Sequence, residues 1–461
     1  MAESIIVSEQ VKQEITARAT LVALGAEVRA RRVFSPIAET VKIAQKTVRY
    51  TPVEKLQDGY INMLAGGHGM CEVNKRVRSD PALQAGFGRK GCAEQSVIQD
   101  TLDACTPQNV EQMQQAMQVI YRRHSLGYRH RYDQEWQILD IDLTGRPCGK
   151  TAEGAEKRYF ARQRNRRGRQ VGYVTATLYD EIVVKRVYAG KEQLSRALPG
   201  LLAAAEQTLR LNEARRERTV ARVDAGGGSV DDVNYVLEHG YQFHGKDYSA
   251  PRVKNLVEDV VWVTDPKDTG RQFGWVPRED TPYCRPVRRI AVRCRKRNGQ
   301  WAYGVIVSSL QPQWVLHLTG QAAERIQDPL AVLCAYVYFY DQRGGGVEIE
   351  IKEDSQGLGT KHRNKKRLAA QQMVAQLEAL AHNTLVWARR WLTPYCPRLG
   401  HWGMLRLVRD IFHMNGKVLI DHTNRVLQIA LNPCEPLAKE LSVGLAALLQ
   451  RREIAVILGK T

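Results

Sequence analysis

The chain has 461 residues, and its 68 lysines and arginines exceed its 49 aspartates and glutamates by 19 charges, for a sequence pI near 9.6. A hydrophobic share of 43% is ample for packed cores and excludes a disordered chain, and the length suits roughly two to four domains. A field this positive attracts a polyanion, nucleic acid before an anionic membrane. Nine scattered cysteines without a Cys-x-x-Cys pair exclude a zinc ribbon and suit a reducing compartment. No apolar run is long enough to span a bilayer, and the charged start MAESIIVSEQVKQEITARA lacks a signal-type core, so the chain reads as cytoplasmic with no membrane partner.

In chain order, the first part reads mostly as helices. SEQVKQEITARATLVALGAEVRARR carries apolar residues at helical spacing. GCAEQSVIQDTLDACT puts Val97, Ile98 and Leu102 on one face. It reads equally as a helix-turn-helix element for a DNA groove and as a plain surface helix.

The pattern changes at Trp136. WQILDIDLTG is a strand with Asp140 and Asp142 on one face, because side chains repeat every second residue. VGYVTATLY and EIVVKRVYAG are two strands joined by a tight turn. A helical region interrupted at Pro199-Gly200 leads to RTVARVDAGGG, a strand ending in Asp224 and a glycine turn. VDDVNYVLEHG is a helix and YQFHGKDYS a fifth strand. A three-strand meander followed by helical crossovers predicts an α/β fold with a mixed sheet.

VVWVTD, RRIAVRCRKR, WAYGVIVSSL and WVLHLT then read as a β-rich insertion. The apolar run PLAVLCAYVYFY, the stretch DQRGGGVEIEIKEDSQGLG and a long helix beginning in NKKRLAAQQ follow, then a smaller C-terminal part with a hairpin, KVLIDHTNRVLQIAL. The predicted organisation is a helical DNA-binding region at 1–132 and a core in two parts, 133–250 and 327–391. The insertion spans 251–326, and a C-terminal helical region with a small hairpin spans 392–461.

Acids at strand ends are the candidate chemistry. Asp142 ends the first core strand, Asp224 the fourth, and Glu348 lies far along the chain. Such carboxylates can share hard divalent cations, although a single strand-end aspartate is more often a turn or helix cap. EKRYFARQRNRRGRQ gathers Lys157, Arg158, Arg162, Arg164, Arg166, Arg167 and Arg169 around Tyr159 and Phe160, with no acid among them. Arginine forks suit phosphate oxygens and aromatics can stack on bases, whereas the bland reading is a solvated loop. TKHRNKKR, before the long helix, is a second basic run that could track a phosphate backbone. There is no Gly-x-Ser-x-Gly, no His-Glu-x-x-His, and no glycine loop followed by Gly-Lys-Ser/Thr.

LDIDLTG, RVDAGGG and YDQRGGGVEIEIKE occur in an order that resembles the DDE transposases of bacterial insertion sequences. The resemblance is to the subgroup with a β-rich insertion and a Tyr-Arg-Glu-Lys signature around the glutamate. GKTAEGAEKRYFARQRNRRGRQVGYVTATLYD and SDPALQAGFGRKGCAEQSVIQDTLDA are also similar, so it covers most of the chain. It implies an RNase H-like mixed five-stranded sheet with flanking helices, a β-rich insertion and a mainly helical N-terminal DNA-binding region. The catalytic and metal-binding acids would be Asp142, two residues before Thr144, with Asp224 and Glu348; Asp140 is the rival for the first position. Each active site would hold two Mg²⁺ ions, with Mn²⁺ able to substitute.

Tyr340 and Arg343 match the signature and, with Lys352, would contact DNA. Two departures stand out: four residues separate Arg343 from Glu348 where the signature has three, and Ser355 replaces the signature lysine. The resemblance also puts Glu348 on a helix, against the strand-like alternation of VEIEIK, and leaves Glu350, Glu353 and Asp354 solvated.

The activity implied is cut-and-paste transposition in a bacterial cytoplasm, on the nucleoid when bound. The chain would bind terminal inverted repeats, cut with a metal-activated water, and join the 3′-hydroxyl to target DNA by transesterification. A homodimer on double-stranded DNA is the implied assembly. In relatives with the insertion the 3′-hydroxyl first forms a hairpin, and Trp262 or Trp275 would then hold a flipped base. The alternatives are a catalytically inactive DNA-binding descendant and an RNase H-like nuclease without strand transfer.

Overall fold

The computed structural model describes residues 11–160, 163–247, 250–277, 282–345 and 347–459. Its strands, in chain order, are β1 (Val11–Thr16), β2 (Gln137–Pro147), β3 (Glu156–Phe160), β4 (Gln163–Ala176), β5 (Glu181–Tyr188), β6 (Thr219–Val223) and β7 (Gln242–Lys246). They continue with β8 (Val263–Asp265), β9 (Asp268–Trp275), β10 (Arg288–Arg295), β11 (Trp301–Ser308), β12 (Gly416–Asp421), β13 (Val426–Leu431) and β14 (Ala455–Leu458). Two compact units form, and the chain passes between them several times. The first holds the residues through Ser125, Arg146–Arg169, and Glu350 onward; the second holds Leu126–Gly145 and Gln170–Ile349.

In the first unit, helices Ala19–Ala30, Pro52–Leu64, Gln95–Asp103 and Pro107–His124 share one core with the long helix Leu368–Leu392. That helix is buried along most of its length, so its polar side chains need partners inside the core. Arg146 pairs with Glu378 at 2.8 Å, Tyr60 Oη donates to Thr384 Oγ1 at 2.8 Å, and His382 Nδ1 meets Asp354 Oδ1 at 2.8 Å. Asp354 is therefore buried against His382, not solvated as the sequence suggested. Beside this core lies a small sheet in the order β1-β12-β13-β14. Val11–Thr16, expected as helix, is a strand because the β12–β13 hairpin offers it an open edge; it pairs antiparallel from Val11↔Asp421 to Thr16↔Gly416.

The second unit is built on a single sheet. The five expected core strands stand in the order β5-β4-β2-β6-β7, with β2, β6 and β7 mutually parallel. The β-rich insertion is not separate from them. Strand β11 pairs antiparallel with β7 through Ile306↔Lys246, and β10, β9 and β8 extend the same sheet. Trp136, Ile138 and Val220 accordingly share a core with Phe273, Ile290 and Ile306 of the insertion.

Helix Pro329–Gly345 contributes Val332 through Val337 and Phe339 to that core. The sequence sets its start: Asp328 Oδ1 accepts from the Leu330 and Ala331 amides at 3.0 and 3.1 Å, and Pro329 suits the first helical position. Helix Leu194–Leu209 runs through Pro199 without the expected break. The predicted second core segment, 327–391, is divided between Ile349 and Glu350, since the long helix packs with the N-terminal helices. Among the described residues no helix is long and apolar enough to cross a membrane.

Candidate active site

Register builds the site. β2 and β6 pair in parallel through Asp140↔Arg222 and Ile141↔Val223, and β6 and β7 through Arg222↔His244 and Val223↔Gly245. Asp140, Arg222 and His244 thus form one row on one face. With a side-chain period of two, Asp142, Asp224 and Lys246 come next on that face. Asp142, expected to end its strand, lies within β2, which runs on to Pro147; the parallel pairing of β2 with β6 stops at Ile141, Asp224 follows β6 directly and Lys246 closes β7, so the three residues lie where the parallel pairing ends. Such ends are where α/β sheets habitually place their ligands.

The first row is sealed. Asp140, Arg222 and His244 are all essentially inaccessible. Arg222 forks onto Asp140 at 2.6 and 2.8 Å, Thr177 Oγ1 donates to Asp140 at 2.7 Å, and the remaining Arg222 nitrogen donates to the Phe339 carbonyl at 2.7 Å. Both Asp140 oxygens are thus engaged by Arg222 and Thr177, and Arg222 links this pair to helix Pro329–Gly345. Burial, with the Arg222 charge adding to it, pushes the His244 imidazole down to about 3, so it is neutral against Ser308 Oγ at 3.0 Å.

The second row is reachable by solvent. Asp142 and Asp224 are partly exposed. Arg343, in the last turn of helix Pro329–Gly345, sets a guanidinium nitrogen 3.0 Å from Asp142 Oδ1. Burial alone would lower the Arg343 pKa, but the carboxylates of Asp142 and then Asp224 more than offset it and hold it raised. That charge coupling ties both aspartates to one locality. Asp224 Oδ1 also accepts from the Gly226 amide at 2.8 Å, which shapes the turn into helix Val230–Glu238. A side chain on Gly228 would collide with the Lys246 carbonyl oxygen, so close approach, not a positive φ, requires the glycine.

Glu348 lies on helix Val347–Gly357; its side chain is outside the described residues. Five residues past Arg343, it is held by the chain within about 18 Å of it. Among the described residues no three potential ligands gather as a metal centre. Two carboxylates just past the parallel β2–β6 pairing, Asp142 and Asp224, are of the hard oxygen type that suits Mg²⁺. Tyr340 is half-buried on the same helix face as Arg343, and Lys352 is exposed.

The basic run is a hairpin in the first unit. Lys157 lies opposite Arg167 and Arg158 opposite Arg166, and these four are exposed with Arg164 and Tyr159. Like charges directly across a ladder repel; Arg166 donates to Gln163 Oε1 at 2.8 Å and Arg167 to the Ala155 carbonyl at 3.2 Å. Arg162 lies outside the described residues. Arg169 is a correction: it is fully buried and donates to the carbonyls of Glu153, Lys365 and Lys366 at 2.6, 2.9 and 2.8 Å. It anchors the ribbon and has no surface for DNA. The second basic run is likewise split, with Arg363 and Lys365 buried and Lys361, Lys366 and Arg367 exposed.

Trp262 stacks on the Arg293 guanidinium at 4.2 Å, and Trp275 packs edge-on to Tyr336 at 5.6 Å. Sequence reading missed Arg222, His244 and Lys246. The one local signal was spacing: Arg222 stands two before Asp224 on a strand and so shares its face.

No family model matches the chain, and no curated protein matches it. Among solved structures, it is similar to a piggyBac transposase synaptic complex with hairpin DNA, determined by cryo-EM. The identity is 11% and the TM-score 0.44, over 87% of this chain and 82% of that one.

Proposed function

We propose that the chain is a DNA transposase that cuts and rejoins phosphodiester bonds at Asp142, Asp224 and Glu348. The observation that carries this reading is the placement of Asp142 and Asp224 one residue past the last parallel pair of β2 and β6, Ile141↔Val223, with Arg343 coupled to both. The order β5-β4-β2-β6-β7 supports an RNase H-like core beneath them. The motifs LDIDLTG, RVDAGGG and YDQRGGGVEIEIKE support the DDE class.

Two Mg²⁺ ions held by the three acids would supply Lewis-acid charge to the attacking and leaving oxygens. The acids contribute fixed negative charge. Arg343 orients Asp142 and limits the repulsion between the two aspartates. A water oxygen attacks phosphorus in line, the bond from phosphorus to the 3′ oxygen breaks, and that oxygen leaves as the 3′-hydroxyl. The 3′ oxygen then attacks a target phosphodiester, one P–O bond forming as another breaks, so no external energy source is consumed. The exposed cations of the β3–β4 ribbon, Lys157, Arg158, Arg164, Arg166 and Arg167, would hold DNA phosphates. A dimer on DNA would bring two element ends together.

The test is cleavage of a duplex carrying the element's own ends. Cutting should require Mg²⁺ or Mn²⁺, and the released 3′-hydroxyl end should be joined to target DNA. Asp142→Asn, Asp224→Asn and Glu348→Gln should each stop cutting and leave DNA binding in place. Cutting without joining would reassign the chain as a nuclease. Binding without cutting in the unaltered chain would make it a DNA-binding descendant.

A further inference from the structure

The third parallel strand ends in a cation that neither the acids nor the Tyr-Arg-Glu-Lys signature explains. The register Val223↔Gly245 sets Lys246 level with Asp224 one step on. The turn after Asp224 closes over the Lys246 backbone, as the tight approach at Gly228 shows. The Lys246 ammonium lies 4.6 Å from the centroid of the Tyr340 ring. Tyr340 and Arg343 are three residues apart on one helix face, so the ring that steadies Lys246 and the guanidinium that meets Asp142 belong to the same turn. Among the described residues Lys246 makes no ion pair. A half-buried ammonium held by an aromatic face, not by a carboxylate, keeps its charge for another anion.

We infer that Lys246 binds a non-bridging oxygen of the phosphodiester seated at Asp142 and Asp224. The inference rests on reading those aspartates as the cutting residues. A phosphodiester brings negative charge to a row that already holds two carboxylates, and Lys246 is the cation that this row itself supplies. As the attacking oxygen bonds to phosphorus, charge builds on the non-bridging oxygens, and a fixed ammonium beside them stabilises that state more than the ground state.

The experiment uses the full chain and an end-bearing duplex, comparing the unaltered protein with Lys246→Met and Lys246→Arg. Methionine keeps the stem against Tyr340 and removes the charge; arginine keeps the charge. Single-turnover cutting is measured in Mg²⁺, and binding in Ca²⁺ across a salt series. Lys246→Met should slow cutting by about 10- to 100-fold and lower the salt slope of binding by about one, the loss of one phosphate contact. Lys246→Arg should restore cutting to within about 5-fold, as expected of a charge-dependent contact.

Normal cutting and an unchanged slope in Lys246→Met would overturn the inference. So would a loss of cutting that arginine does not restore, since packing alone would then be at stake. If the unaltered chain binds but does not cut, the reading of the aspartates fails separately, and the slope still decides Lys246. No DNA binding at all overturns both.

Discussion

Two rows of three residues on one sheet face, Asp140–Arg222–His244 and Asp142–Asp224–Lys246, stand two residues apart on the same strands and have opposite fates. Both mix acids and bases. The inner row lies beneath helix Pro329–Gly345, and its charge is consumed by a forked ion pair and a helix carbonyl. The outer row stands where the parallel pairing of the strands ends, partly open, with Arg343 meeting Asp142. The same residue types are structural in one row and available in the next because of what covers them. The first unit repeats the contrast along a single strand, where Arg169 is spent on carbonyls and Arg166 and Arg167 are exposed.

Substitutions can separate the rows. In the outer row, Asp142→Asn and Asp224→Asn should each lower cutting at least ~10³-fold, the scale expected when a ligand of the ions that activate and stabilise the reacting oxygens is lost. Both should remain folded, with Asp142→Asn lowering the urea midpoint the more, because it takes the charge from the partner of the buried Arg343. In the inner row, Asp140→Ala should cost about 3–5 kcal/mol in the same urea titration, because it leaves Arg222 buried without its partner. Replacing the pair together, Asp140→Leu with Arg222→Met, should cost less than the two single changes summed.

A third separation uses pH. The folded-state pKa of His244 is about 3, against an unfolded value of 6.5, so between those limits the unfolded chain binds a proton that the folded chain refuses. Stability from this residue is complete above pH ~6.5 and is lost as pH falls, at about 1.4 kcal/mol per unit. Unfolding free energies from urea titrations between pH 6 and 4 should show that slope, and His244→Gln should flatten it. The smallest effect belongs to the ribbon. Arg166→Ala should lower the salt slope of DNA binding by about one without loss of stability, since it also relieves the repulsion with Arg158. Arg169→Met should instead destabilise the first unit.

Much of the outer row was legible because its signal is local. Asp142 and Asp224 each follow a short apolar run that local pattern reveals, although only Asp224 stands at a strand end; β2 continues past Asp142 to Pro147. The inner row was not, because membership depends on the pairing of segments far apart; nothing near His244 or Lys246 announces that Arg222 and Asp224 stand beside them. The helix carrying Glu348 came from the family resemblance, against the local alternation of VEIEIK. The strand Val11–Thr16 was lost for the same reason as the inner row, since its partner β12 lies near the other end of the chain. Charge runs were misleading in a different way. Composition identified the ribbon as basic but could not say that Arg169, or Arg363 and Lys365 in the later run, turn inward to satisfy carbonyls and core polar groups.

The most direct measurement is the metal-dependent cutting rate of Asp142→Asn beside Asp140→Asn, on proteins whose folding has been checked by urea titration. Asp142→Asn should remain folded and fail to cut in Mg²⁺, while Asp140→Asn, whose partner Arg222 is equally buried, should still cut under conditions where it is folded. A folded Asp142→Asn protein that cuts at the unaltered rate would contradict the account.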